Sequence, residues 1–227
     1  FFGIVNSEEG YQNLVRFLFG DICATGRLDI GALPFPPEIE RARAQGKKIA
    51  SSYYIETTVA PRGAYTYDLT SRTKAQESAV RREYSELFDA GGALARNARS
   101  PVLFSVFLDS AKILAGSEVA FSIEIAVSNA GYEIDGALFL KQHIPGEYLF
   151  RDTLVLFAKR DDAGGWKLRY VWADEHWATG PKNAAELARL GGKAIVGTEQ
   201  EPSVFAVPLA SSKGFQAELK IALAPWA

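Results

Sequence analysis

The sequence predicts a mainly β protein, an antiparallel β-sandwich preceded by N-terminal helical and extended segments. In three runs apolar and polar residues alternate with a period of two, and these runs are EVAFSIEIAVS (118–128), WKLRYVW (166–172) and FQAELKIAL (215–223). A strand that buries one face and exposes the other is typical of antiparallel sheets. Several such strands at short, regular spacing favour two packed sheets.

The first element is a predicted helix over 7–20. Asn6 is placed to cap it, Glu9 follows three residues later as in a capping box, and Gly20 is placed to end it. Its apolar face has helical spacing and consists of Tyr11, Leu14, Val15 and Leu18. A short amphipathic helix depends on packing of that face. We therefore expect it to fold back on the β-layer of this chain, with a homodimer as the alternative cover.

The middle of the chain carries mixed signals. Three prolines followed by mixed charge predict a connector over 26–48. β-Branched and aromatic residues over 50–61 predict a strand. A capping pattern that begins at Thr73 predicts a helix over 73–88, and 90–100 resembles a loop.

The last part of the chain predicts eight strands, near 102–114, 118–128, 136–144, 147–159, 166–173, 193–198, 203–209 and 214–224. One helix near 184–190 interrupts them, capped by Asn183 and ended by Gly191 and Gly192. The predicted organisation has three parts, namely a helical segment (1–25), a connector with a strand and a helix (26–100) and a β-sandwich domain (101–227).

Composition excludes several classes of function. The 25 basic and 27 acidic residues give a net charge of −2, which lacks the basic excess of a nucleic-acid binder. No apolar run approaches the roughly 18 residues of a membrane span. Cys23 is the single cysteine, so an intrachain disulfide and a cysteine-based zinc site are excluded. No glycine motif for nucleotides or phosphates occurs, so we expect no cofactor. The sequence does not indicate the cellular compartment of the protein.

No catalytic set emerges from the residues. The chain has no G-x-S-x-G elbow, which a hydrolase of the α/β type needs to present its serine. His143 and His176 are the two histidines. We read His143 as a surface residue at a strand end, while His176 beside Asp174 is the competing hypothesis of a base oriented by a carboxylate. We name no catalytic residue and expect no esterase turnover from this chain alone.

The best candidate for binding is the loop that follows the strand at 166–173. It places Asp174, Glu175, His176 and Trp177 next to one another. End loops of a sandwich can hold a carbohydrate, a lipid or calcium, so a stand-alone ligand-binding β-sandwich is the alternative function. Calcium needs six or more oxygen ligands, and the sequence has neither the spacing of an EF-hand nor an alternating series of aspartates that could supply them. We therefore assign no metal site.

Four segments resemble the C-terminal region of a bacterial lipase/esterase-like α/β-hydrolase family. The first, GIVNSEEGYQNLVRFLFGD (3–21), is similar to the stretch that directly follows the strand carrying the catalytic histidine in that family. The others are RGAYTYDLTSRTKAQESA (62–79), PVLFSVFLDSAKI (101–113) and EIDGALFLKQHIPGEYLFRD (133–152).

This resemblance implies that residues 7–20 are the last helix of a hydrolase core and that the rest is an accessory β-domain. The family's nucleophile, acid and histidine would then lie upstream of Phe1, and none of them falls on a residue of this chain. The expected function is support or cover of an upstream hydrolase domain, which is the implied partner.

Overall fold

The structure is a computed structural model that describes residues 8–62, 68–89, 91–112, 118–135, 141–173 and 184–226. The helices in these residues are α1 (Glu8–Phe19), α2 (Pro37–Ala44), α3 (Tyr84–Leu87), α4 (Ala184–Gly191) and a 3-10 helix, Ser110–Lys112. The strands are β1 (Ile22–Ala32), β2 (Ile49–Arg62), β3 (Thr70–Arg72), β4 (Val80–Glu83), β5 (Val102–Leu108), β6 (Val119–Asp135), β7 (Lys141–Pro145), β8 (Tyr148–Arg160), β9 (Trp166–Trp172), β10 (Ile195–Val196), β11 (Thr198–Glu201), β12 (Val204–Ala210) and β13 (Gln216–Pro225).

The strands form two antiparallel sheets. One has five strands in the order β11-β12-β13-β1-β5. The other has eight strands, with the path β10-β9-β8-β6-β2-β3, while β4 also pairs with β2 and β7 also pairs with β6. The predicted β-sandwich class is confirmed.

The period of two that predicted the strands also builds the core. Along β6 the side chains of Phe121, Ile123, Ile125 and Val127 are buried, and they alternate with outward positions. Inward residues of both sheets join one apolar cluster, which includes Leu28 and Leu219 of the five-stranded sheet. Burial of each large side chain is worth about 1.5–3 kcal/mol, so this shared cluster holds the two sheets together.

The prediction that 26–48 is only a connector is wrong. β1 begins at Ile22 and pairs with both β13 and β5, and α2 follows the prolines. The inward positions of β1 include Ala24 and Gly26, which are buried but small. The alternation is therefore weak in the sequence, although the strand lies inside its sheet.

The predicted helix over 73–88 is also wrong, apart from its last turn. The predicted cap does form, because the backbone N–H of Gln76 donates to Thr73 Oγ1 at 3.3 Å. The chain turns at Glu77, which has a positive φ of 54°, and then forms β4 against β2. Pairing with an available sheet edge thus outweighs the local helical signal, and α3 retains four residues.

The predicted strand at 193–198 divides into two strands of different sheets. β10 pairs with β9 in the larger sheet, and β11 pairs with β12 in the smaller one. Gly197 lies at the corner and donates its N–H to the carbonyl of Leu168 at 2.8 Å. The chain thus crosses from one sheet to the other within one residue.

The boundaries of the three predicted parts do not coincide with breaks in the core. The boundary at 25/26 falls within β1. Strand β2, from the middle part, pairs with β6 over most of its length. Buried residues of all three predicted parts, such as Ile22, Ile55 and Ile123, therefore share one apolar cluster.

The register between β2 and β6 shifts near Gly131, and a buried polar pair lies beside this irregularity. Gly131 has φ +102°, and a Cβ there would lie 2.6 Å from the carbonyl oxygen of Ile144, so this position requires glycine. The side-chain Oδ1 of Asn129 accepts the backbone N–H of Gly131 at 2.9 Å. Nearby, the hydroxyls of Tyr53 and Tyr132 are hydrogen-bonded at 3.1 Å inside the core.

We predict that Gly26→Ala destabilises the fold by about 1–3 kcal/mol. A Cβ at Gly26 would lie 2.2 Å from Cε1 of the buried Phe104 ring, which covers this glycine. Urea unfolding measures the loss. Gly31→Ala is the matched control on the same strand, because its nearest contact would be an ordinary 3.5 Å to the Gln216 carbonyl. Equal stability of both variants would contradict the prediction.

We also predict that stability falls above about pH 10, the ordinary tyrosine pKa. Burial raises the pKa of both Tyr53 and Tyr132. The unfolded chain then releases protons that the folded chain retains, so the free energy of unfolding decreases by up to about 1.4 kcal/mol per pH unit for each buried tyrosine. In urea titrations between pH 9 and pH 11, Tyr53→Phe should show a shallower decrease. Tyr148→Phe, at an exposed ring, should not.

Candidate functional site

The predicted binding loop lies outside the described residues. Asp174, Glu175, His176 and Trp177 all fall in 174–183, so their binding role stays a prediction. The other histidine, His143, lies in β7 and is exposed, as expected for a surface residue at a strand end. Within the described ranges, no group of three or more His, Cys, Asp or Glu side chains is arranged to hold a metal ion.

The candidate functional site in the described part of the chain is helix α1. It ends where predicted, because Gly20 follows it and donates its N–H to the Arg16 carbonyl at 2.7 Å. Its polar side faces the β-layer. Asn13 Nδ2 donates to the carbonyl of Leu69 at 3.0 Å, and Arg16 is only 3% exposed.

The C-terminal turn of α1 is held by aromatic rings. The Phe17 ring packs edge-on against Phe107 of β5, with ring centres 5.2 Å apart. Trp226 lies beside both rings, 5.5 Å from Phe17 and 4.5 Å from Phe107. The Trp226 indole N–H also donates to the carbonyl of Phe17 at 2.8 Å. This cluster fixes α1 beside the edge strand β5.

The apolar face of α1 remains largely exposed. Leu14 is 54% exposed, Leu18 is 52% exposed and Tyr11 is more exposed than either, while Val15 is partly covered. The prediction that this face folds back on the chain's own β-layer is therefore wrong. The helix does lie on the β-layer, but it does so through its polar side and its last aromatic turn.

Helix α4 shows the arrangement that α1 lacks. α4 is the helix predicted near 184–190, and its Leu187 and Leu190 are buried against Val155 and Phe157 of β8. Both helices are amphipathic, yet only α4 covers its apolar face with this chain's own sheet. The open face of α1 is thus a specific feature of that helix, and it supplies a surface of adjacent large apolar side chains of the kind that marks an interaction site.

Sequence periodicity found the apolar face but could not orient it. The spacing of Tyr11, Leu14 and Leu18 defines a stripe without saying which surface it meets. The residues that seat the helix are Asn13, Arg16 and Trp226, and the last of these lies more than 200 residues away in the chain. No local pattern links Trp226 to α1.

Comparison of the chain with protein-family models, with curated proteins and with solved structures gives no match. None of the helices in the described ranges has the length and apolar content that a membrane crossing requires.

We predict that Leu14→Ala changes the stability of the 227-residue chain by less than about 0.5 kcal/mol, because its side chain meets mainly solvent. Phe17→Ala removes two aromatic contacts from the same helix and should cost about 1–2 kcal/mol. Thermal and urea unfolding of both variants measure the difference. A larger loss for Leu14→Ala would mean that the face is covered in solution.

Proposed function

We propose that this chain is the accessory β-domain of a lipase/esterase-like α/β-hydrolase and that α1 is the last helix of the hydrolase core. The apolar face of α1 would then pack against the upstream domain of the same protein. The observation that carries this proposal is that α1 contacts its own β-layer through its polar side and leaves Tyr11, Leu14 and Leu18 exposed.

The chemistry of the exposed face fits a hydrolase core. The parallel sheet of an α/β protein is covered on both faces by helices, and each helix buries one apolar stripe against it. α1 presents such a stripe over two helical turns. It also lies in the segment 3–21, which carries the most specific part of the family resemblance.

A supporting role follows from how the β-layer holds α1. Asn13 and the rings of Phe17 and Trp226 attach the helix to the sandwich from the side opposite to its apolar stripe. A helix held in this way would fix the sandwich rigidly to the domain that covers the stripe. Because the chain has no nucleophile elbow, the proposal assigns the chemistry to the upstream domain.

The proposal is tested first by the reading frame upstream of Phe1. It should encode an α/β-hydrolase core with a G-x-S-x-G elbow, and a strand ending in histidine should directly precede residue 3. An upstream sequence without these features contradicts the hydrolase assignment, whatever covers α1.

The second test uses the protein extended by that reading frame. Leu14→Ala should lower the stability of the extended protein by about 2–5 kcal/mol, the usual cost for a leucine in a packed core. Ile195→Ala is the matched control, because Ile195 in β10 is 58% exposed and lies on a different element. Equal small effects of both variants would show that α1 does not pack on the upstream domain. A concentration-dependent dimer of the 227-residue chain that Leu14→Ala dissociates would instead assign the face to a second copy.

A further inference from the structure

The outer face of the eight-stranded sheet carries an open cavity of about 380 Å³. It lies over β2, β6 and β8, next to the part of β8 that α4 covers. On the other side it is bordered by the turn that begins at Thr73. This volume falls in the range of about 300–1,000 Å³ that small-molecule sites occupy.

The strand register determines which side chains form the floor. Two rows cross the sheet here, and they consist of Glu56, Ala126 and Arg151 in one row and Thr58, Glu124 and Thr153 in the other. Residues that pair across antiparallel strands project from the same face, so these side chains share the outer surface. The floor is thus polar, with charged groups and hydroxyls side by side.

Lys74 lines a second cavity, of about 490 Å³. Its backbone N–H donates to Glu56 Oε1 at 2.9 Å, and its ammonium donates to Ser128 Oγ at 3.0 Å. The ammonium lies 4.9 Å from the centre of the Tyr148 ring and 5.7 Å from that of Tyr54. Lys74 thus contacts residues of both cavities, Glu56 and Tyr148 of the first and Tyr54 of the second, and we call the two cavities together the outer groove.

Two charged groups in the outer groove have no polar partner among the described residues. Glu124 is half-buried at the floor, yet its carboxylate makes no hydrogen bond or ion pair there. Arg151 is exposed, and its guanidinium has a single described interaction, at 5.7 Å from the centre of the Tyr148 ring. A half-buried carboxylate such as Glu124 gains from a new hydrogen bond, and charge-assisted bonds to Glu124 or to the nearby Arg151 guanidinium are the strong ones.

The charges of the outer groove are nearly balanced. Three acidic and three basic residues line it, namely Glu56, Glu77 and Glu124 against Lys74, Arg81 and Arg151. Asp152 also lines the first cavity, but it pairs with the core residue Ile125, so its side chain projects from the inner face. A polyanion or a polycation would meet repulsion from one of these sets. A carboxylate only accepts hydrogen bonds and a guanidinium only donates them, whereas a hydroxyl does both. Polyhydroxylated neutral ligands can therefore satisfy Glu124 and Arg151 with the same kind of group.

We propose that the outer groove is a binding site for a neutral oligosaccharide, with Glu124 accepting from and Arg151 donating to adjacent ligand hydroxyls. Thr153 lies two residues from Arg151, on the same face of β8, and pairs with Glu124, so it adds a hydroxyl to the same place. Tyr148 lines one cavity and Tyr54 the other, and two neighbouring cavities suit a chain of sugar units better than a single unit. The site uses no residue of α1. Its test is therefore independent of the proposed packing of α1 against an upstream hydrolase domain.

Calorimetric titration of the 227-residue chain with maltotetraose, cellotetraose and tetra-N-acetylchitotetraose tests the proposal. We expect at least one of these probes to bind with a Kd of about 1 mM or tighter. Glu124→Gln and Arg151→Gln should each weaken that binding tenfold or more, with unfolding curves recorded to confirm that both variants are folded. Glu218→Gln is the matched control, because Glu218 lies in β13 of the other sheet and lines neither cavity.

Three results would overturn the proposal. One is that none of the three tetrasaccharides binds. Another is that binding is equal in the wild type, Glu124→Gln and Arg151→Gln. The third is that spermidine or inorganic phosphate binds at the groove more tightly than any of the sugars, which would assign the site to a charged ligand.

Discussion

The antiparallel register between β2 and β6 is the constraint on which both the fold and the outer groove depend. On the inner side of this pair, Ile55 and Ile123 enter the core shared by the two sheets. On the outer side, Glu56 and Glu124 enter the groove. A slip of one residue would exchange the two faces and place carboxylates in the core, which no local rearrangement could offset. Burial of the apolar side of the strands thus also fixes the positions of the polar side chains in the groove.

The amphipathic helices α1 and α4 pack on the sandwich in different ways. α4 crosses the outer face of β8 and buries Leu187 and Leu190, and so closes part of that sheet to solvent. α1 packs its aromatic turn against edge strand β5 of the other sheet, and Asn13 holds it to Leu69, next to β3. The polar side of α1 also buries Arg16. Burial of Arg16 in place of Leu14 forgoes apolar stabilisation, which is consistent with a helix whose apolar stripe serves another surface.

Among the described residues, some charged side chains are paired with one another, whereas others are free to bind a ligand. The ion pairs of Arg169 with Glu118 and of Arg99 with Asp29 tie neighbouring segments together at the surface. In the outer groove, Lys74 is likewise engaged, by Glu56 and Ser128. Glu124 and Arg151 differ, because they lie in a cavity and their hydrogen-bonding capacity is not used by the described part of the protein. The proposed ligand site depends on these unused hydrogen-bonding groups. The net charge of the groove alone would not reveal them.

The sequence by itself determined the class of the fold, because the period of two in strands such as β6, β9 and β13 reports directly on which residues face the core. It also determined α1 and α4, since helical spacing and the glycines that end a helix are local; the predicted caps Asn6 and Asn183 lie outside the described residues. The tertiary structure decided those features that depend on contacts between distant parts of the chain. β1 became an inner strand despite small inward residues, the segment after Thr73 became β4 because β2 offered an edge, and α1 turned its apolar face outwards because Trp226 and β5 hold its other side. Each of these outcomes depends on partners distant in sequence, and pairing between them has no periodicity that a single strand or helix could show.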